Sequence, residues 1–142
     1  MSDEPRIGSR REARETALGI LYEADVRGEP IPEVVTRQVL DPPPYAAVLL
    51  AGVAEHVDEI DALLRRIARD WALERMPVID RSVLRLATYE LAHRPDVPTG
   101  AVLSEAVELA SRYSTADSGR FVNGVLAKLA AELRGDDRPA DT

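Results

Sequence analysis

Apolar residues at helical spacing are the feature that most constrains the fold of this chain. In residues 102–133 two such stripes meet across a polar segment, residues 114–119, which we call the hinge. The recurrence every three or four residues places the apolar side chains on one face of each helix. The second helix opens with Arg120, Phe121 and Asn123, and Phe121 is the only phenylalanine in the chain. We expect this junction to be a recognition surface rather than ordinary packing.

The same spacing recurs along the rest of the chain, and no segment shows the alternation of a strand. Breaks at glycine and proline separate the predicted helices, which span 9–27, 32–40, 45–57, 60–71 and 78–92, followed by the two helices of 102–133. A bend is expected between the third and fourth helices. This predicts an all-α fold of about seven helices in a single domain, residues 9–134. Residues 1–8 are expected to be a disordered leader and residues 135–142 a flexible tail.

Composition narrows the possible classes of protein. Apolar residues make up 45% of the 142 residues but aromatics only 4%, which predicts an aliphatic core. The absence of cysteine excludes disulfides and thiolate zinc sites. A net charge of −7 disfavours non-specific nucleic-acid binding over the whole surface, although it allows a local basic patch. The charged start and the lack of a long apolar run predict a cytoplasmic protein without a membrane span.

Residues suited to catalysis or metal binding do not form any known spacing motif. The two histidines, His56 and His93, lack a metalloprotease spacing, so a metal-ligand role is not expected for either. Glu105 and Glu108 are expected on a solvated or salt-bridged helix face. Nucleophile elbows, phosphate-binding loops and dinucleotide fingerprints are also missing from the sequence. We therefore expect a protein that is not an enzyme and uses no cofactor or metal.

The first predicted helix carries a cluster of arginines. Arg10, Arg11 and Arg14 occupy an arc of roughly 100° beside the apolar stripe. Tyr22 projects near the direction of Arg11, so the helix could offer guanidinium groups to phosphates and a ring to a base. The alternative is a solvated face with a half-buried tyrosine.

Four segments in this order resemble the NusB family of bacterial transcription antitermination proteins. They are RREARETALGILYEAD, DRSVLRLATYEL, DVP and SEAVELASRYSTADSGRFVNGVL. The resemblance implies two three-helix units set at an angle, with the first helix exposed. It also implies binding to the boxA segment of leader RNA from ribosomal RNA operons, together with the ribosomal protein NusE. Such a complex supports read-through by RNA polymerase and ribosomal RNA maturation, without a catalytic step.

Carried onto this sequence, the resemblance also implies roles for individual residues. The RNA-binding candidates are Arg10, Arg11, Arg14, Tyr22, Asp117, Ser118, Arg120 and Phe121. The candidates for contact with the protein partner are Glu74, Asp80 and Arg81.

Several of these residues have two interpretations. Asp117 is expected to be a helix cap or an acceptor from a base edge. Phe121 is expected either to stack on a base or to belong to the core. Asn123 and Gly124 are assigned to helix packing. Glu12 interrupts the basic run of the first helix.

Two other functional classes stay open at this point. One is a helical interaction or dimerisation module with little RNA affinity, which the acidic balance favours. Some family members self-associate through the arginine helix, so a homodimer is compatible with either function. The other is the helical accessory domain of an RNA cytosine methyltransferase, which we expect to continue into a cofactor-binding domain.

Overall fold

The computed structural model describes residues 7–135, with side chains from residue 10 onward, and this part of the chain contains only helices. They are α1 Ile7–Arg27, α2 Ile31–Thr36, α3 Pro44–Ile67, a short 3-10 helix Leu73–Arg75, α4 Val78–His93, α5 Thr99–Tyr113 and α6 Ala116–Arg134. The prediction of an all-α fold is confirmed. Most of the expected leader and tail, residues 1–6 and 136–142, lies outside the described residues. None of the helices described is long and apolar enough to cross a membrane.

The prediction of about seven helices is wrong, because residues 45–57 and 60–71 contribute to one helix, α3. The helical backbone is interrupted only at His56, where φ is −110° and ψ is 19°. Val53, Ile60 and Leu64 are all fully buried, so the apolar stripe stays in phase across this kink. The chain therefore bends close to the expected position without starting a new helix.

A proline immediately precedes four of the helices. The residues that immediately precede α2 to α5 are Pro30, Pro43, Pro77 and Pro98. A proline fixes φ near the helical value and lacks the N–H that would otherwise go unbonded at a helix start. The helix α6 is instead preceded by Thr115, whose hydroxyl accepts a capping hydrogen bond of 3.0 Å from the Ser118 N–H.

Helix α4 lies at the centre of the packing and contacts α1, α3, α5 and α6. The largest fully buried side chains are aliphatic, as expected, with the exception of Glu90 of α4, and include Leu49, Leu50, Leu64, Leu84, Leu126 and Leu129. Gly52 allows α3 to approach α4, because a Cβ atom there would lie 2.1 Å from the Tyr89 ring. The central position of α4 means that its polar residues also influence the placement of its neighbours.

Ion pairs fix the start of α4 to α1 and α3. The Arg81 guanidinium donates to both carboxylate oxygens of Asp25 at 2.6 Å and to the Met76 carbonyl at 3.1 Å. Arg85 donates to both oxygens of Asp61 of α3 at 2.8 and 3.0 Å. The hydrogen bond from Arg81 lowers the pKa of Asp25 below its ordinary value. The link between α3 and α4 is thereby anchored to α1.

Candidate nucleic-acid interface

Arg14 lies inside the protein, not on the arginine face predicted for the first helix. Only 5% of its surface is exposed, and it donates from Nε and Nη2 to Glu90 at 3.0 and 2.9 Å. The Tyr45 hydroxyl donates a third hydrogen bond to the same carboxylate at 2.5 Å. Burial lowers the pKa of Arg14, but the hydrogen bond and charge of Glu90 outweigh it and the pKa is raised. The guanidinium group therefore stays charged within a satisfied ion pair.

Arg10 and Arg11 keep part of their surface open to solvent. Arg11 donates to Glu105 at 3.1 and 2.7 Å, and this hydrogen bond lowers the pKa of the mostly buried Glu105 carboxyl. The guanidinium carbon of Arg10 lies 4.4 Å above the Tyr45 ring, and its Nη2 lies 3.6 Å from Asp96. The Arg10–Asp96 pair is partly exposed and weak, whereas Arg11 is held more firmly by two hydrogen bonds to a mostly buried carboxylate.

Two exposed tyrosines line one groove between α1 and the end of α5. Tyr22 is 43% exposed and Tyr113 is 48% exposed, and Leu18 and Ile79 form part of the groove between them. Tyr113 is the last residue of α5, and its ring reaches solvent. The groove therefore offers two aromatic faces, of which only Tyr22 was predicted as a site residue.

Glu15 joins this groove to the hinge. The Tyr113 hydroxyl donates to Glu15 at 3.1 Å and Arg112 donates to it at 2.8 Å. Arg112 also donates to Glu108 at 2.7 Å, which agrees with the salt-bridged face expected for Glu108. Arg112 was missed as a candidate; the only sequence signal for it was an arginine beside a tyrosine directly before the hinge.

Buried hydroxyl and carboxylate groups hold the first turn of α6 in place from the interior of the protein. Ser118 is buried and donates from Oγ to Asp80 at 2.8 Å, while the Thr115 hydroxyl lies 3.1 Å from Ser118 Oγ. Asp80 is fully buried. The structure therefore places Asp80 and Ser118 in a contact between the first turns of α4 and α6, not on the surface.

Asp117 and Arg120 are the exposed charges of the hinge. They pair with each other, and Arg120 lines a cleft of about 520 Å³ between α5 and α6. The expectation that Asp117 caps the helix is wrong, because Thr115 occupies the cap position and makes the capping hydrogen bond. Arg120 is therefore available on the surface beside an open cleft.

The assignment of Asn123 and Gly124 to helix packing is also wrong. Both residues are exposed, and no atom lies within 4 Å of where a Gly124 Cβ would be. The close approach of α5 and α6 occurs instead at Gly119, where a Cβ would lie 2.3 Å from Ser111 Oγ. Asn123 lines the cleft that contains Arg120.

Phe121 lies at the boundary between the core and the solvent-exposed surface. Its ring packs edge-on against Trp71 with 4.9 Å between the ring centroids, at the margin of the core. The residue is only half-buried, so part of the ring faces solvent. Either role needs the Trp71 contact to hold the ring in place.

Of the three candidates for partner contact, Glu74 alone is exposed. It accepts a hydrogen bond of 2.6 Å from Arg65, which lowers the pKa of Glu74. Arg81 is half-buried in its pairing with Asp25, and Asp80 is interior. Glu74 and Arg81 line one cavity of about 210 Å³ with Arg65, but Asp80 is not part of its lining.

Similarity to known proteins identifies the family. The model of the NusB family matches residues 11–131, most of the chain. The chain belongs to the NusB family. The resemblance to the NusB family, predicted from the sequence motifs, is thereby confirmed. A protein of Clavibacter sepedonicus named transcription antitermination protein NusB is 42% identical over 134 residues, which are 88% of this chain and 98% of that relative.

Solved NusB structures share the fold. T. maritima NusB superimposes with a TM-score of 0.80 and 37% identity, over 87% of this chain and 91% of that one. A chain from the crystal structure of antitermination factors NusB and NusE in complex with double-stranded RNA gives a TM-score of 0.75 and 30% identity. That alignment covers 89% of this chain and 99% of the other. A protein of this fold is thus known in a complex that contains RNA and NusE.

Proposed function

We propose that this NusB-family protein is a transcription antitermination factor that binds boxA-type leader RNA of ribosomal RNA operons together with a NusE ribosomal protein. In this role it joins the elongation complex in the cytoplasm and promotes read-through by RNA polymerase and ribosomal RNA maturation. Support comes from the relatives that carry the name transcription antitermination protein and from the solved NusB–NusE–RNA complex. The division into two three-helix units, α1–α3 and α4–α6, belongs to the same proposal.

One structural observation carries the proposal: exposed arginines and tyrosines of α1, α5 and α6 lie along a connected surface. We call this the RNA face and define it as Arg11, Tyr22, Arg112, Tyr113 and Arg120. Glu105 links Arg11 to α5, and Glu15 links α1 to both Arg112 and Tyr113. Glu108 of α5 lines the same cleft as Arg120 of α6. The face therefore runs from the first helix to the hinge.

The chemistry of this face suits single-stranded RNA. Unpaired bases stack on exposed aromatic rings, and guanidinium groups bind phosphates with two parallel hydrogen bonds. Arg112 and Arg120 are held by the partly exposed Glu15 and the exposed Asp117, and a phosphate can compete for them. The Arg11 side chain is 47% exposed, although its partner Glu105 is mostly buried. Because the net charge is −7, we propose that the protein partner contributes the remaining affinity.

The predicted site residues take different parts in this proposal. Arg10 and Asp117 flank the RNA face, and Phe121 offers the exposed edge of its ring. Arg14 and Ser118 support the face from inside through their contacts with α4.

The surface around Glu74 is proposed for NusE. Glu74 and Arg65 are both exposed and form a mixed-charge pair. Arg81 donates to the backbone carbonyls of Leu73 and Met76, so it holds this segment in place from behind. Asp80 lies deeper in the protein and accepts a hydrogen bond from Ser118 of α6.

Binding titrations test this function. A boxA-type RNA and a scrambled RNA of equal length are titrated with the protein, with and without a NusE partner, at several salt concentrations. We expect tighter binding of the boxA sequence, a further increase with NusE, and affinity that falls as salt rises. Equal affinity for both RNAs together with no effect of NusE would refute the proposal.

A second candidate function is self-association, and exposed apolar residues favour it. Val39, Leu40 and Val48 are exposed in a part of the chain that also forms an apolar groove between α2 and α3. Sedimentation of the pure protein with and without RNA distinguishes the two. A dimer that dissociates when RNA binds would show that the protein has both functions. A dimer with no RNA affinity would favour the interaction module.

A further inference from the structure

The only two histidines of the chain lie against each other. His56 is at the kink of α3 and His93 is the last residue of α4. Their rings stack with 3.9 Å between the centroids and an interplanar angle of 21°. Glu59, one turn after His56, places Oε1 3.2 Å from His56 Nδ1 and 3.1 Å from His93 Nε2. Three side chains with ligand atoms therefore converge, although no sequence motif joins them.

We propose that His56, Glu59 and His93 form a binding site for a divalent transition-metal ion of the zinc type. The three ligand atoms lie within 4.8 Å of one another. In a tetrahedral site with metal–ligand bonds of about 2.0–2.2 Å, the donor atoms are roughly 3.3–3.6 Å apart. The two separations from Glu59 Oε1, 3.2 and 3.1 Å, are close to this value, and rotation of the two stacked rings would aim both nitrogens at one ion. Imidazole and carboxylate donors together select Zn²⁺, Ni²⁺ or Cu²⁺ over Mg²⁺ and Ca²⁺.

The surroundings position these ligands and leave them accessible. Each of the three side chains is partly exposed, so an ion can enter from solvent and a fourth position remains for water. The Tyr89 ring stacks on His93 with 5.5 Å between centroids, and Gly52 makes room for that ring. On the outward side of His56, Nε2 lies 3.9 Å from a Glu55 carboxylate oxygen. At 3.9 Å this carboxylate does not accept a hydrogen bond from Nε2, so the His56 ring is positioned by its stacking on His93 and by Glu59.

The site would connect two helices at the kink of α3. His56 is the residue with the irregular backbone, Glu59 follows it by one turn, and His93 ends α4. An ion bound only by the folded protein stabilises it by mass action. We therefore expect the melting temperature to rise with Zn²⁺ concentration and to be unaffected by equal concentrations of Mg²⁺.

Calorimetric titration of Zn²⁺ into the full chain without a histidine tag tests the proposal. The expected result is one Zn²⁺ per chain, since the sequence contains no cysteine and no other histidine. His93→Gln and Glu59→Gln should each weaken binding by at least about tenfold. Asp58→Asn is the matched control, because it removes the same charge from an exposed neighbour of Glu59 and should leave zinc affinity unchanged.

Two further measurements keep the outcome clear if a variant folds poorly. Circular dichroism without metal shows whether each variant retains the helical fold. In the unaltered protein, Zn²⁺ should shift the imidazole NMR signals of both histidines together and at one equivalent. The proposal is overturned if binding is absent, or if one histidine signal responds without the other. It is also overturned if Asp58→Asn weakens binding as much as Glu59→Gln, and Glu59 would then be only a hydrogen-bond acceptor between the rings.

Discussion

Arg14 of α1 and Glu90 of α4 form a buried ion pair, with hydrogen bonds of 3.0 and 2.9 Å. The two residues are 5% and 2% exposed, and Tyr45 gives the carboxylate a further hydrogen bond. A charge left alone in such an environment is strongly unfavourable. The pair therefore fixes the helix that carries Arg11 and Tyr22 to the central helix of the fold.

Arg14→Met should destabilise the protein by about 3–5 kcal/mol, because it leaves the Glu90 carboxylate buried without a counter-charge. Urea unfolding followed by circular dichroism measures this loss. Arg27→Met on the same helix is the matched control, since the Arg27 side chain is 60% exposed and its removal should change the unfolding midpoint little. Equal effects of the two substitutions would show that Arg14 is not a core residue.

Replacing Tyr22 and Tyr113 by alanine should weaken boxA binding by roughly tenfold or more for each ring that stacks on a base. Both rings are largely exposed, so the melting temperature should change little. Tyrosine-to-phenylalanine variants keep the ring and should retain most of the affinity. Unchanged RNA binding in the double alanine variant would remove the groove between α1 and α5 from the RNA face.

Phe121→Ala should lower both stability and RNA affinity. A fully buried phenylalanine contributes about 3–5 kcal/mol, and the half-buried Phe121 should contribute roughly half of that through Trp71. Phe121→Leu should recover much of the stability but not the RNA affinity, since leucine offers no ring for stacking. If Phe121→Leu binds boxA normally, the ring has only a packing role.

Acid should weaken the anchor between Asp25 and Arg81 in a predictable direction. The hydrogen bond from Arg81 lowers the pKa of Asp25 below the ordinary value of 3.8, so the unfolded chain binds a proton first as the pH falls. Stability from this pair is fully present above about pH 5 and is lost as the pH falls through the folded-state pKa. Thermal unfolding should therefore show Asp25→Asn as less stable than the unaltered protein at pH 7.

The control for this prediction is the same comparison in acid. The difference between the two proteins should shrink as the pH falls towards about 2, because protonation of Asp25 in the folded state removes the stability that its pairing with Arg81 provides. A difference that is constant between pH 7 and pH 2 would mean that the ionisation of Asp25 does not contribute to stability.

The features that depend on neighbouring residues in the sequence could be predicted from local sequence patterns. Apolar periodicity and proline positions indicated the all-α fold and the approximate helix bounds, because both act within one or two helical turns. The motifs of residues 105–110 and 121–126 also identified the family. The helix count was wrong at His56, since a stripe that stays in phase does not distinguish a kink from a new helix.

The features that could not be predicted depend on contacts between residues that are far apart in the sequence. Arg11 and Arg14 both flank the apolar stripe of α1, and only the position of Glu90 on α4 makes one of them a core residue. Gly119 and Gly124 likewise lie on the same helix, but α5 approaches only the first. The contact between His56 and His93 also exists only in the folded chain. Sequence spacing carries no information about such pairings until the helices are packed.

The salt dependence of boxA binding, measured with NusE present, tests the RNA face most directly. The Arg11→Ala/Arg120→Ala double variant removes one guanidinium group from each end of that face. It should reduce the slope of log affinity against log salt by roughly 1.4 units, the value for two lost phosphate contacts on single-stranded RNA. An Arg37→Ala/Arg66→Ala control removes two exposed, ion-paired arginines outside the face and should leave the slope unchanged. Equal slopes for the two double variants would contradict an RNA face that runs from the first helix to the hinge.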